Sequence, residues 1–217
     1  MNQQNSRCSI VVIGANGGTG LQLVKMALQR NHDVTAIVRN PARLKMHHPN
    51  LTIVQGDILQ PETYRVSLVN KNVVISAIGT RSTAATTLYS RGSENILKSM
   101  QDTGVTRAFF ISASGLEVNP SFNFLMRMAT KHLLQRILRN MYDDLERMEA
   151  IVKRSDLDWT IMRPPRLTNA EVTGRYRFSV NRYLDHGMVI SRADLSHFIL
   201  ENIYNSDIYQ STVEVAY

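Results

Sequence analysis

Apolar positions along this chain fall into short, nearly continuous runs, separated by longer segments in which they recur every three or four residues. The runs are Ser9 to Gly14, Asp33 to Val38, Leu51 to Val54, Val73 to Gly79, Arg107 to Ser112 and Trp159 to Arg163. Their β-branched and aromatic content predicts strands. Continuity, rather than strict alternation, predicts a sheet covered on both faces. Leu21, Val24 and Leu28 stand at helical spacing after the first run, as do Ile96, Leu97 and Met100 ahead of the "DTGVTR" turn. Strands alternating with helices build a parallel sheet, so the expected fold class is α/β, a Rossmann-type doubly wound parallel sheet.

After Pro164 the rhythm changes to a loop, a hairpin around Arg175 to Val180, a helix from about Ala193 to Tyr204 and a last strand near Thr212 to Val215. Residues 164–217 are expected to form a small C-terminal substrate-side cap. The length of 217 residues suits one domain spanning 1–217.

Composition narrows the class. Hydrophobic content of 43% with 20% charged residues is that of a globular protein and excludes a disordered or fibrous one. A single cysteine, Cys8, excludes an internal disulfide framework and suits a reducing compartment. The Ile10 to Ile13 run is too short for a signal-peptide core, and nowhere do about 18 apolar residues follow one another, so a cytoplasmic location is expected. The net charge of +7 favours an anionic partner, which charge alone leaves open among nucleic acid, membrane and a phosphate-bearing small molecule.

The stretch "VVIGANGGTGLQLV" turns that choice toward the small molecule. Gly14, Gly17 and Gly20 are spaced G-x-x-G-x-x-G where the first strand meets the first helix. There the first glycine permits a tight turn, the second lets backbone N–H groups approach a pyrophosphate, and the third lets the helix pack against the strand. The helix N-terminus then faces the phosphates. A plain glycine-rich turn is the alternative, and its position after the first strand argues against it. Where a dinucleotide fold selecting NAD carries an acid at the end of the second strand, "TAIVRNPARL" offers Arg39, with Arg43 one turn later. Two guanidinium groups suit a 2′-phosphate; a solvated arginine at a strand end is the alternative. Asp57, in "QGDILQP", stands where a carboxylate can accept from an adenine amino group, and would equally suit a surface turn.

With these residues in place the chain resembles the NAD(P)-binding atypical short-chain dehydrogenases, and within them the biliverdin-IXβ reductase and NADPH-dependent flavin reductase group. The likeness runs through "IGANGGTG", "VTAIVRNPARL", "GDILQ", "AIGTR", "TTLYSRGSENILKSM", "DDLERM", "WTIMRPP", "VTGRY" and "VISRADLSHFIL". The resemblance implies a monomer or small homo-oligomer that uses NADP(H) to reduce a flavin-like small-molecule acceptor, with neither nucleic acid nor membrane as partner. It implies that Gly14, Asn16, Gly17, Thr19 and Gly20 hold the pyrophosphate, Arg39 and Arg43 the 2′-phosphate, and Asp57 with Ile58 the adenine. Gly79, Thr80 and Arg81 would lie beside the cofactor, Ser112 and Ser114 would face the nicotinamide, and Pro164 and Pro165 would close the site behind its ring. Two positions that hold histidines near the substrate in mammalian members are Leu145 and Arg166 here, and Arg166 becomes a candidate substrate-binding residue.

The chemistry follows from what is absent. No Tyr-x-x-x-Lys occurs, and Tyr142, the nearest candidate, is followed four places on by Glu146, whose charge would raise a phenol pKa. Alcohol oxidation and sugar epimerisation by the usual short-chain dehydrogenase route are therefore disfavoured. Flavin reduction demands less, because positioning two rings supplies most of the catalysis. Ser114 is the candidate catalytic residue, as a hydrogen-bond donor; a serine satisfying backbone groups at a strand end is the alternative. His47, His48, His132, His186 and His197 lack metal-ligand spacing, and no metal is expected. The basic segment 122–141 reads as a packed helix with a solvated basic side, a lid, or an interaction face. A non-catalytic NADP-binding regulator, like the NmrA-type sensors, is the alternative function.

Overall fold

The computed structural model describes residues 7–80, 82–116 and 138–217. Arg81 and most of the basic segment 122–141, including His132, lie outside these residues.

Five parallel βα-type strands open the chain: β1 (Ser9–Ile13), β2 (Asp33–Val38), β3 (Leu51–Gln55), β4 (Val73–Ser76) and β5 (Arg107–Ile111). They are followed by β6 (Asp158–Met162), β7 (Arg166–Thr168), β8 (Arg177–Val180), β9 (Val189–Ser191) and β10 (Ser211–Ala216). The described α-helices are α1 (Gly18–Gln29), α2 (Leu88–Thr103), α3 (Arg139–Lys153) and α4 (Arg192–Glu201). Eight strands form one sheet in the order β3-β2-β1-β4-β5-β6-β10-β8, parallel throughout except for the β10–β8 pair. This is the doubly wound Rossmann-type architecture expected from the pattern.

Successive residues of β1 serve opposite cores. Ile10 and Val12 pack with α1 and α4, while Val11 and Ile13 pack with α2 and α3. Both faces are covered, which explains the unbroken apolar runs. Val73 and Ile75 against Val74 repeat the arrangement in β4.

The C-terminal part is built into the sheet and its first core. β10 joins the sheet beside β6, and α4 packs on α1 with Phe198 and Ile199 buried in the first core. The expected hairpin around Arg175 to Val180 is not found: β8 pairs instead with β10, Val180 opposite Val213 and Arg177 opposite Ala216. Val180 packs against the α4 core, and the half-exposed Phe178 ring lies tilted beside Phe198 with centroids 5.2 Å apart. β7 and β9 form a separate parallel pair.

Two buried charges fix the frame. Arg107 lies within the sheet, its guanidinium donating to the carbonyls of Ile203 and Asp158 and to Thr160 Oγ1 at 2.7–2.8 Å. Burial pushes it down to about 10. Asp144 of α3 is fully buried and accepts from the backbone N–H of Tyr89 at 2.8 Å and from the Ser90 hydroxyl, so it caps the start of α2 from a neighbouring helix. None of the described helices is long and apolar enough to cross a membrane.

Candidate functional site

Strand order reverses between β1 and β4, and the crevice at their carboxyl ends is where an open parallel sheet binds its ligand. The glycine loop sits there. Gly14 has φ +82°, a left-handed conformation, and a Cβ on it would stand 2.6 Å from Ala77 O at the end of β4. A Cβ on Gly20 would stand 2.3 Å from Gly14 O, so this glycine lets α1 close on the loop and faces protein rather than ligand. Thr19 is buried in the same turn. Gly17 is the N-cap of α1 and is exposed, no side chain caps the helix, and its first turn holds no acid. The first N–H groups of α1 therefore remain open to an anion.

Arg39, just past β2, and Arg43, closing the 3-10 turn Pro41–Arg43, are both exposed and make no ion pair among the described residues. Their turn is tied to the glycine loop. Asn40 Oδ1 accepts from Ala42 N at 3.1 Å, and the Asn40 carbonyl accepts from Asn16 Nδ2 at 2.9 Å. Asn16 thus serves as a brace between the glycine loop and the Arg39–Arg43 turn, a role its sequence position does not reveal. Asp57 Oδ1 accepts from Leu59 N at 3.0 Å, the turn role considered above, with its other oxygen uncommitted. The Ile58 side chain is buried against α2, where a Cβ on Gly92 would stand 2.4 Å from its Cδ1, and its carbonyl accepts from Asn95 Nδ2 at 2.9 Å, so what it has left to offer is its backbone N–H.

Gly79 is exposed with open space around it, and Thr80 N donates to the Tyr89 hydroxyl at 3.1 Å. At the ends of β5 and β6, Ser112 N donates to Met162 O at 2.7 Å and Ser114 N to Pro164 O at 3.0 Å. These bonds bring Ser114 beside Pro164 and Pro165. The Ser114 hydroxyl is part-exposed and has no partner among the described residues. Ser112 differs from expectation. It is buried, and its hydroxyl donates to Glu149 Oε1 at 2.7 Å, so it faces α3 and is spent as a donor. Arg166 opens β7 and is exposed, whereas Leu145 is buried in the second core and fronts no acceptor.

Glu149 is the residue that the sequence reading missed. Arg163 clamps it with Nε and Nη2 at 2.9 and 2.6 Å, and Lys153 Nζ approaches at 3.1 Å. Burial pushes its carboxyl up, but the hydrogen bonds and charge of Arg163, with Ser112 and Lys153, outweigh that and hold it below the usual glutamate range. A sequence signal existed: Glu149 continues the apolar face made by Tyr142, Leu145 and Val152. On its far side a cleft of about 400 Å³ is lined by Lys153, Trp159, Arg163, Arg182, Tyr183 and Glu214, away from the glycine loop. Burial also pushes the Tyr142 phenol up, which keeps it protonated.

A model of NAD(P)H-binding proteins matches residues 14–206. The chain belongs to the NAD(P)H-binding family. Members of this family bind the nicotinamide cofactor, and the loop geometry above fits it. Among curated proteins, the photosystem II assembly factor Ycf39 of Synechocystis is 31% identical over 107 residues, 48% of this chain and 33% of that protein. The matches thus span about a third of the length of the first curated relatives. A wide-type short-chain dehydrogenase/reductase from Veillonella parvula, solved in complex with NADP, superposes with a TM-score of 0.79 at 16% identity, covering 98% of this chain and 95% of that one. A candidate NADH-flavin reductase from Streptococcus pneumoniae superposes with a TM-score of 0.74 at 21% identity, covering 96% and 99%. At these identities the NAD(P)H-binding chain shares their fold.

Proposed function

We propose that this NAD(P)H-binding protein is an NADPH-dependent oxidoreductase acting on free flavin or a related planar acceptor such as a quinone or linear tetrapyrrole. The observation that carries the reading is the pairing of an open Ser114 hydroxyl with a buried Tyr142. The crevice offers a neutral hydrogen-bond donor but no Tyr-x-x-x-Lys pair: the buried Tyr142 is followed four places on by Glu146, and Tyr89, whose hydroxyl accepts from Thr80 N, is followed at the same spacing by Ser93. When bound, the reduced nicotinamide supplies hydride, which an oxidised isoalloxazine accepts directly.

The chain's own part is to bind, orient and exclude water. The α1 N-terminus and glycine loop take the pyrophosphate, and Arg39 with Arg43 the 2′-phosphate. Asp57 and the Ile58 backbone meet the adenine, with Gly79 and Thr80 along the ribose side. Arg81 belongs to that stretch of the sequence and is proposed here on the resemblance alone. Ser114 donates to the nicotinamide amide or the acceptor, Pro164 and Pro165 shape the wall behind the ring, and Arg166 is placed to pair with an acceptor phosphate or carboxylate. Hydride transfer is favoured by positioning rather than by proton chemistry.

The candidate flavin reductase among the structural neighbours supports this reading, while the assembly factor among the relatives supports a non-catalytic NADP-binding regulator as the second one. The purified chain mixed with NADPH and FMN, riboflavin or biliverdin decides between them. Loss of reduced-nicotinamide absorbance, fastest with FMN, is the expected result. Cofactor binding with no oxidation by these acceptors or by an added quinone would favour the regulator.

A further inference from the structure

We infer that Arg192 is a pyrophosphate-binding residue, delivered to the glycine loop by the C-terminal part of the chain. The inference rests on the cofactor reading above and is independent of which acceptor is used. Arg192 is the first residue of α4, and its side chain lies across Gly18, the first residue of α1. A Cβ on Gly18 would stand 2.7 Å from Arg192 Nε and 2.9 Å from Cδ. The missing side chain at 18 is what lets the arginine lie against the first turn of α1.

Its orientation is held. Nη1 donates to Asn169 Oδ1 at 2.8 Å and toward Leu167 O at 3.4 Å, which leaves the rest of the guanidinium fork uncommitted. Its charge is not balanced by the protein, since among the described residues no carboxylate pairs with it. Asp194, the acid in the first turn of α4, is occupied by Thr173 N and Oγ1, Gly174 N and the Tyr217 hydroxyl at 2.7–2.9 Å. The guanidinium also sits at the positive end of its own helix and beside the positive end of α1, two places where a cation is disfavoured. An anion shared by the α1 N-terminus and Arg192 relieves all three conditions, and a diphosphate with two negative charges matches a fork and a helix end together.

The test compares two ligands on the purified full chain by titration calorimetry: NADP⁺, and adenosine 2′-monophosphate, which keeps the adenine and 2′-phosphate but lacks the diphosphate. Arg192→Gln is expected to weaken NADP⁺ by about 10- to 100-fold, as for loss of a charge-assisted hydrogen bond, and to leave adenosine 2′-monophosphate unchanged. Unchanged NADP⁺ affinity, or equal losses for both ligands, would overturn the assignment. If the glutamine variant fails to fold, Arg192→Met keeps the aliphatic stem against Gly18 and carries the same expectation. A wild-type chain that binds neither ligand would overturn the cofactor reading itself, an outcome distinct from a wild type that binds NADP⁺ and a variant that binds it equally well.

Discussion

The two ends of the crevice are built in opposite ways. At the β2 and β3 end, Arg39 and Arg43 stand in solvent without ion pairs among the described residues, and one side-chain bond, Asn16 to Asn40, joins their turn to the glycine loop. At the β5 and β6 end, Ser112, Glu149 and Arg163 form a largely buried network, joined from the surface by Lys153. Exposed charges keep their hydration until a ligand arrives and contribute little to stability meanwhile. A buried carboxylate must be paired from the start, because an unpaired one is costly. On the proposed function, affinity and preorganisation are separated along the sheet, and substitutions should separate them too.

The largest effect is expected from Glu149→Gln, which removes the buried carboxylate shared by Arg163, Ser112 and Lys153. Denaturant unfolding should show a loss of about 3–5 kcal/mol. A loss under about 1 kcal/mol would mean that the network is not the rigid partner in this comparison. Next comes Arg39→Ala, which should weaken NADPH by roughly 10- to 100-fold, leave NADH nearly unaffected, and change unfolding free energy by less than about 0.5 kcal/mol. Equal losses for both cofactors would assign Arg39 to the fold and erase the contrast. Ser114→Ala should lower turnover by about 10-fold with a smaller change in cofactor affinity, the scale of one neutral hydrogen bond. Unchanged turnover with every acceptor would remove Ser114 from the site.

The smallest effect concerns pH. Glu149 and Asp194 both have folded carboxyl pKa values below ordinary, in each case because hydrogen-bond donors outweigh burial. Their stabilisation is present above the ordinary carboxylate range and is lost as pH falls through the folded values, that is, below about pH 4. Unfolding free energy measured from pH 7 down to pH 3 should fall, and less steeply in Glu149→Gln. A variant with the wild-type slope would place the acid sensitivity elsewhere.

What the sequence disclosed follows the reach of each signal. β2 spans Asp33–Val38 as expected, since a strand buried on both faces writes itself as an unbroken apolar run. The glycine loop was equally legible, because a backbone at φ +82° and a helix closing to within a Cβ's width of the loop both demand glycine locally. Glu149 was legible only as an acid on the apolar face of α3, since its partners Ser112 and Arg163 come from two other elements and only the folded sheet brings them together. The same holds for β8, whose turn residues suggested a local hairpin while its pairing face belongs to β10. Arg192 faces a glycine near the other end of the chain, and no spacing rule connects the two.

Trp159 lends the crevice an optical consequence. It is the chain's only tryptophan, it is buried in β6, and it lines the same cleft as Lys153 and Arg163. All indole emission from this protein therefore originates at a single known place on the flank of the Glu149 network. Burial keeps that emission bluer than in water, unfolding of the β6 region reddens it, and reduced nicotinamide absorbs where indole emits. One unlabelled chain can thus report separately on the integrity of its rigid end, through wavelength, and on the arrival of cofactor, through energy transfer.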